Sequence, residues 1–135
     1  MATKATPYVE GIGRRKTATA RVRLTKANET TIMVNNTPFE TYFKHAAQQK
    51  GVESVLAVPD AGIENYSITV QVSGSGLSAQ AEAIRLGIAR ALVKEKEDRR
   101  TPLKKEGFLK RDSRSVERKK FGLLKARKRP AWSKR

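Results

Sequence analysis

Alternation of apolar and polar residues predicts two β-strands before residue 74. Every second side chain is apolar over residues 17–24 and again over residues 65–73. Because successive side chains of a strand point to opposite faces, each strand should bury one face and expose the other. A third, shorter strand is predicted over residues 30–34. Asn35 and Asn36, which tolerate left-handed backbone conformations, then predict a tight turn.

Capping residues predict a helix directly after this turn. Thr37 has the side chain of an N-cap, Pro38 suits the first helical position, and Glu40 lies where a capping box places an acid. Apolar residues at 52, 55 and 56 keep a helical spacing, and Pro59 ends that segment.

The clearest helical pattern covers residues 78–94, after a glycine-rich turn. Its apolar stripe consists of Ala81, Ile84, Ile88, Ala91 and Leu92. Gly87 within it suggests that another element packs closely against the helix. One more short helix is predicted from Thr101 to a stop at Gly107. Phe108 and Leu109 would then anchor the root of the segment that follows.

Together these elements predict an α+β fold, a small mixed sheet packed with helices, followed by a long extended basic C-terminal tail. A length of 135 residues fits one such domain. Periodic apolar patterns are confined to the part of the chain before residue 110. We therefore expect a globular domain over residues 1–109 and a tail over residues 110–135.

Positive charge is concentrated in the last 37 residues. Of the 29 lysines and arginines, 16 lie there and only three acids oppose them, so this stretch carries +13 of the net charge of +16. Such a segment should not fold on itself in water, because its charges repel and its apolar residues are too few to offset chain entropy. Its partner should be a polyanion, and a nucleic-acid phosphate backbone is the strongest interpretation.

A second basic surface is predicted on the domain. Arg14, Arg15 and Lys16 are consecutive, and Arg21 and Arg23 point away from the core in the first strand pattern. Arg15 would share that outer face if the strand starts early, and residues 11–16 otherwise form a flexible approach to it. A solvated strand edge guarded by charges is one alternative. In a chain with a polycationic tail, contact with phosphates is favoured.

Aromatic residues in such a chain could stack on bases or fill a core. Phe39, Tyr42 and Phe43 lie on the predicted capped helix, which favours a place in the core. In the tail, gap filling is favoured for Phe121, whereas stacking and gap filling stay open for Trp132.

The composition argues against an enzyme. There is no cysteine, and the single histidine, His45, has no acidic neighbour, so we expect a surface or helix-end place for it and no metal site. The longest apolar runs are too short to span a bilayer, and residues 1–7 lack the apolar region of a signal peptide. We expect no cofactor, no small-molecule substrate and no membrane contact.

One loop imitates a cofactor site. Gly74, Gly76 and Ala79, between a strand and a helix, satisfy a relaxed dinucleotide-binding pattern. That pattern requires a second strand ending in an acid about twenty positions further on, and only a charged run is found there. A plain strand-to-helix turn and an RNA phosphate held on the turn remain the alternatives.

Short motifs in this order resemble the family of bacterial small-subunit ribosomal protein nine. They are GIGRRK at 11–16, ARV at 20–22, VNN at 34–36, YF at 42–43, AIRLGIARAL at 83–92, GFL at 107–109, RD at 111–112, VERKK at 116–120, KAR at 125–127 and SKR at 133–135. The resemblance implies a structural protein in the head of the small subunit of a cytoplasmic ribosome. It implies contacts with the 3′ major domain of the small-subunit rRNA, with neighbouring head proteins and, at the C-terminal tip, with the peptidyl-site tRNA.

Candidate residues follow from the charge pattern together with the resemblance. Those for rRNA in the tail are Lys110, Arg111, Arg114, Arg118, Lys119, Lys120, Lys125, Arg127, Lys128 and Arg129, in addition to the five basic residues of the domain. Those for tRNA, which the resemblance alone implies, are Ser133, Lys134 and Arg135. The alternative function is a free DNA-compacting protein with a histone-like tail, which would bind duplex of any sequence at similar strength.

Overall fold

A computed structural model describes residues 6–133 of the chain. Its five-stranded sheet consists of β1 (Val9–Arg15), β2 (Ala18–Lys26), β3 (Thr31–Val34), β4 (Thr37–Pro38) and β5 (Tyr66–Ser73). The strands lie in the order β1-β2-β5-β3-β4, with β3 parallel to β5 and every other neighbouring pair antiparallel. The sheet is therefore mixed, and the predicted α+β class is confirmed.

Within residues 6–133, four helices accompany the sheet. They are α1 (Phe39–Tyr42), α2 (Ala46–Leu56), α3 (Leu77–Glu95) and α4 (Arg100–Lys105), with single 3₁₀ turns at Pro59–Ala61 and Glu97–Arg99. Helix α3 matches the predicted 78–94 closely, and His45 lies exposed at the start of α2, as expected. In the described residues, none of the helices is long and apolar enough to cross a bilayer.

The core lies between one face of the sheet and the two longer helices. Alternate residues of β2 and β5 point into it, and the predicted stripe of α3 closes it from the other side. Phe39 and Phe43 are buried, and the half-buried Tyr42 packs against the same core, which confirms the core interpretation for all three. Phe108 and Leu109 pack against the same core, so the predicted anchor of the tail root is confirmed.

Residues 11–16 are not a flexible approach, because most of them form β1. A Cβ built on Gly11 would lie 2.3 Å from the carbonyl oxygen of Gly87, and one built on Gly87 would lie 2.7 Å from Cγ2 of Val22. These glycines let α3 lie directly on β1 and β2, as the position of Gly87 predicted. The sequence pattern does not predict β1, because its inward positions carry glycine and arginine, which give no apolar alternation.

The predicted helix start at Thr37 is wrong. Thr37 pairs with Val34 across a two-residue turn in which Asn35 and Asn36 both have positive φ, 48° and 63°. The tight turn is confirmed, but it makes a hairpin that draws Thr37 and Pro38 into β4, and α1 begins only at Phe39. Strand pairing therefore overrides the capping signal.

Candidate nucleic-acid interface

The helices cover one face of the sheet and leave the other open. Arg21 lies on that open face between Ile12 of β1 and Gln71 of β5, and Arg23 lies between Glu10 and Thr69 in the next row. The outward direction predicted for the two arginines is confirmed. The surface is mixed in character, because the exposed apolar side chain of Ile12 stands beside the cations.

Both strand arginines are held by one carboxylate. Glu10 accepts from Nη2 of Arg21 and from Nε of Arg23, each at 3.2 Å. The hydrogen bond from Arg23, together with that from Arg21, keeps the pKa of Glu10 below its ordinary value. The guanidinium of Arg23 also lies 4.7 Å from the ring centre of Tyr8. The pair of arginines therefore presents a net charge of about one, in a fixed position.

Arg15 does not share this outer face, so its predicted orientation is wrong. It is the last residue of β1 and follows Gly11 and Gly13 on the side that faces α3, where it is 8% exposed. Its Nε donates to Glu82 at 2.7 Å, and its Nη2 lies 3.4 Å from a carboxylate oxygen of Asp112. The guanidinium is thus occupied within the protein.

Arg14 and Lys16 remain exposed beside it. Arg14 faces outward opposite Thr19 at the end of the β1–β2 pair, and Lys16 lies in the connecting turn with a φ of 51°. A Cβ on Gly74 would lie 2.4 Å from the carbonyl oxygen of Thr17 in the same turn. Gly74 is therefore required for the close approach of two turns, which accounts for it without a bound phosphate.

The segment predicted as the tail follows a well-defined helix end. After α4, the N–H of Gly107 donates to the carbonyl of Lys104 and that of Phe108 to Leu103, both at 3.1 Å. Gly107 has a φ of 82°. This is the Schellman motif, in which the N–H of the residue after the glycine donates to a carbonyl of the last helical turn. The guanidinium of Arg85 then lies 5.8 Å from the ring centre of Phe108.

From residue 106 to residue 133, the last one described, the backbone has neither helix nor strand. The predicted cations of this segment point to solvent apart from Lys120, which is half-buried; the exposed ones are Lys110, Arg111, Arg114, Arg118, Lys119, Lys125, Arg127, Lys128 and Arg129. Phe121 is 99% exposed and Trp132 is 84% exposed. Ser133 ends the described part, and Lys134 and Arg135 lie outside it.

Two acids organise this basic segment. Asp112 accepts from both the backbone N–H and the guanidinium of Arg114, at 3.0 and 2.9 Å, and Arg114 holds its pKa well below the ordinary range. Glu117 pairs with Lys120 and, at 2.9 Å, with Arg127. Both hydrogen bonds lower the pKa of Glu117, and the one from Lys120 has the larger effect. These contacts link neighbouring parts of the segment, and nine of its predicted cations stay exposed.

One residue counted with the basic stretch belongs to the core instead. Arg99 is 2% exposed and donates to Glu95 at 2.8 Å, to the hydroxyl of Tyr66 at 2.9 Å, and to the carbonyl oxygens of Ala61 and Gly62 at 3.2 Å. Burial alone would lower the pKa of Arg99, but the hydrogen bonds to Tyr66 and Glu95 raise it. The charge of Arg99 is therefore paired inside the folded domain.

Comparison with known proteins identifies a matching family and several similar proteins. The family described as "Ribosomal protein S9/S16" matches residues 13–135. The chain belongs to this family. Small ribosomal subunit protein uS9 of Cytophaga hutchinsonii is 54% identical over 94% of this chain and 98% of its own length. Protein uS9 of Gloeothece citriformis is 49% identical and protein uS9c of Mesostigma viride 53% identical, each over 93% of this chain and 90% of its own.

Membership of the S9/S16 family confirms the resemblance seen in the motifs and makes the protein a structural component, not an enzyme. In the part of the chain that the structure describes, α3 is followed by a 3₁₀ turn and α4 and by no further strand, so the Gly74 loop lacks the frame of a dinucleotide site. Across residues 6–133, no three acidic or histidine side chains converge where they could hold a metal ion.

Sequence reasoning missed the acids of this S9/S16 protein. Glu10, Asp112 and Glu117 each bind two or more of the predicted cations. A usable signal existed for the last two, because an isolated acid within a dense run of lysines and arginines has cationic partners on either side. No local pattern pointed to Glu82, which meets Arg15 only in the folded chain.

Proposed function

We propose that this protein is a structural constituent of the small ribosomal subunit that binds the small-subunit rRNA. The observation that carries the proposal is the segment after residue 109, in which nine predicted cations stand exposed on a backbone without helix or strand. A chain of this kind can follow the irregular path of a folded RNA, and its guanidinium groups can grip phosphates by two parallel hydrogen bonds. Family membership and the small-subunit names of the relatives support it.

Two surfaces would share the rRNA. Residues 110–135 are the proposed tail and residues 1–109 the proposed rRNA-binding domain. On the domain, Arg14 and Lys16 are exposed at the end of the β1–β2 pair, and Arg14 lines one cavity together with Lys110 and Arg111 of the tail root. These two are the proposed direct contacts. Arg15 is removed from that group, since its guanidinium is already paired.

Arg21 and Arg23 remain proposed rRNA contacts, but the kind of contact differs from the one predicted. Because Glu10 neutralises one of their two charges, the open sheet face should contact RNA through shape and fixed hydrogen bonds more than through net charge. Exposed Ile12 and Tyr8 beside them can lie against riboses or bases. The expected partners are the 3′ major domain of the rRNA and neighbouring head proteins, in a cytoplasmic ribosome.

The finer proposal concerns the C-terminal tip. Ser133, Lys134 and Arg135 would contact the anticodon stem of the peptidyl-site tRNA once the rest of the tail is held by rRNA. The support is the family resemblance of the final three residues together with their position at the end of the basic segment. The exposed ring of Trp132 next to them could stack on a base.

The test combines sedimentation with binding. A lysate is fractionated on sucrose gradients at low and high salt, and the protein should travel with small subunits at low salt. The purified protein is then titrated with a fragment of the rRNA 3′ major domain and with random duplex DNA at the same ionic strength. Stronger binding to the rRNA fragment is expected. Equal affinity for the two, with recovery in the nucleoid fraction, would favour the DNA-compacting alternative.

A further inference from the structure

Arg15 lies where the domain, α3 and the tail meet. Inward positions of β1 are Gly11, Gly13 and Arg15, and the two glycines let α3 lie on the strand. The third inward position therefore carries its guanidinium into the narrow space beside the first turns of α3. There the arginine side chain is 10% exposed. A charge in such a place needs partners on each of its donors.

Each nitrogen of this guanidinium has a partner. Nε donates to Glu82 of α3 at 2.7 Å, Nη2 pairs with Asp112 at 3.4 Å, and Nη1 donates to the backbone carbonyl of Arg114. Two of the three partners belong to the segment after residue 109. We call Arg15, Glu82 and Asp112 the root cluster. Arg15 is 67 residues from Glu82 and 97 residues from Asp112 along the chain, so the cluster forms only when the domain is folded.

Contacts on both sides continue this attachment. Before it, the Schellman turn and the contact of Arg85 with Phe108 fix the chain at residues 107–108. After it, Asp112 accepts the backbone N–H of Arg114 at 3.0 Å and so closes a turn over residues 112–114. The first cations of the tail are therefore attached to the domain and do not hang freely from it.

We propose that Arg15 is a positioning residue which, through the root cluster, fixes the direction in which the basic tail leaves the domain before any RNA is bound. This inference rests on the proposed RNA-binding function and adds to it a role that charge alone would not give. An anchored root reduces the conformational freedom that the tail loses on binding, because part of the bound conformation already exists. Arg15 acts through Asp112 and does not itself contact phosphate.

Asp112→Asn is the decisive variant, and Glu106→Gln is its matched control. Each removes one negative charge near the start of the tail, so both gain the same attraction to RNA. Glu106 is exposed at the end of α4 and is no member of the root cluster. In Asp112→Asn, Arg15 keeps Glu82 and the amide can still accept from the backbone N–H of Arg114, so the domain should fold.

Backbone ¹⁵N relaxation of the full-length protein without RNA is the first measurement. In the wild type and in Glu106→Gln, residues 110–114 should show order parameters close to those of α3, about 0.85, whereas Asp112→Asn should lower them to below about 0.6. Unchanged order both in Asp112→Asn and in Arg15→Met, which also removes the bond to the carbonyl of Arg114, would show that the root cluster does not hold the tail. The inference would then fail whatever RNA binding shows.

Affinity for the fragment of the rRNA 3′ major domain is the second measurement. If the anchored conformation falls from nearly all molecules to between a tenth and a third, Asp112→Asn should bind about three- to tenfold more weakly than Glu106→Gln. Equal affinity of the two variants would make the root cluster a structural contact without a positioning role. A wild type that does not bind the fragment would contradict the proposed function itself, and the relaxation data would still report on the anchor.

Discussion

Gly13 of β1 faces the carbonyl oxygen of Ala83 in α3 so closely that a Cβ built on Gly13 would lie 1.7 Å from that oxygen. No rotation of a side chain can relieve this overlap, because the backbone fixes the position of the Cβ and the oxygen is itself a backbone atom. The helix could only move away from the sheet, and the core between them would lose contacts. The short distance between β1 and α3 thus requires that Gly13, like Gly11, has no side chain.

Gly13→Ala should therefore destabilise the protein by about 3 kcal/mol or more, at the upper end of overpacking effects. Gly51→Ala in α2 is the matched control, since among the described residues a Cβ there meets no atom within 4 Å apart from its chain neighbours and the backbone of its own helix. Alanine in an open helical position should raise the free energy of unfolding by about 0.5–1 kcal/mol. Urea titration followed by far-UV circular dichroism measures both. A Gly13→Ala protein as stable as the wild type would mean that β1 does not lie on α3.

Glu95 forms the anionic part of a buried group with Arg99 and Tyr66. Glu95→Gln should lower the free energy of unfolding by about 2–3 kcal/mol, because Arg99 is left without its counter-charge at 2% exposure. Glu64→Gln removes the same charge from an exposed site that pairs with Lys26 and Lys96, and its denaturation curve should match the wild type. Equal curves for all three proteins would show that the buried pair does not contribute to stability.

The same carboxylate makes stability depend on pH. Burial alone would raise the pKa of Glu95, but hydrogen bonds from Tyr66 and Arg99 outweigh it and leave the pKa below its ordinary 4.5. The unfolded chain then binds the proton more readily, so this contribution is complete above pH 4.5 and is lost as the pH falls through the folded-state value. The stability difference between wild type and Glu95→Gln should shrink as urea titrations move from about pH 6 to about pH 3. A constant difference would contradict the assignment.

Sequence patterns predicted the parts of this fold in which apolar side chains carry the signal. The buried faces of β2, β5 and α3 follow directly from alternation and helical spacing, which is why their bounds agree within two residues. Strand β1 carries glycine where those strands carry valine or leucine, so its inward face gives no apolar alternation and could not be predicted. Thr37 shows the opposite failure, since a genuine capping signal lost to pairing with Val34.

The candidate site divides in the same way. The exposed cations after residue 109 could be predicted from composition alone, because the chain has too few acids to neutralise so many of them. The burial of Arg15 and Arg99 could not be predicted, because each depends on acids or carbonyl groups that only the fold brings near. Charge counting treats all arginines alike, whereas the structure uses these two for internal contacts.

Binding to rRNA should lose affinity with salt in proportion to the phosphates that the tail neutralises. With six to ten contacts, the loss between about 50 and 200 mM salt is on the order of a thousandfold or more. In the full-length protein, replacing Lys125, Lys128 and Arg129 by glutamine should reduce the magnitude of the slope of log affinity against log salt concentration by about 2–3. Removal of residues 110–135 should flatten it further.

The matched control for this slope neutralises Lys44, Lys50 and Lys94, three exposed lysines of the helical side of the domain. It removes the same charge, yet its slope should stay close to that of the wild type. Filter binding over a series of salt concentrations gives both slopes. Equal reductions in the two triple variants would mean that net charge alone governs binding, and an unchanged slope in the tail variant would move the RNA surface to the domain.

Deleting residues 133–135 should separate the two proposed RNA partners. Only two of the sixteen cations of the basic stretch are lost, so rRNA affinity and subunit assembly should stay nearly intact. Binding of tRNA at the peptidyl site should weaken by about 0.5–3 kcal/mol, the range for one or two charge-assisted contacts with phosphate. The measurement is filter binding of tRNA to reconstituted subunits that carry the full-length or the shortened protein.

A Lys110→Gln, Arg111→Gln variant is the control for that deletion. It also removes two cations, but from the root of the tail, and it leaves the tip in place. If the tip contacts tRNA directly, this variant should keep full tRNA affinity although its total charge equals that of the shortened protein. Equal tRNA affinity of all three subunits would leave residues 133–135 without a direct role. Failed assembly of the shortened protein alone would instead assign those residues to rRNA.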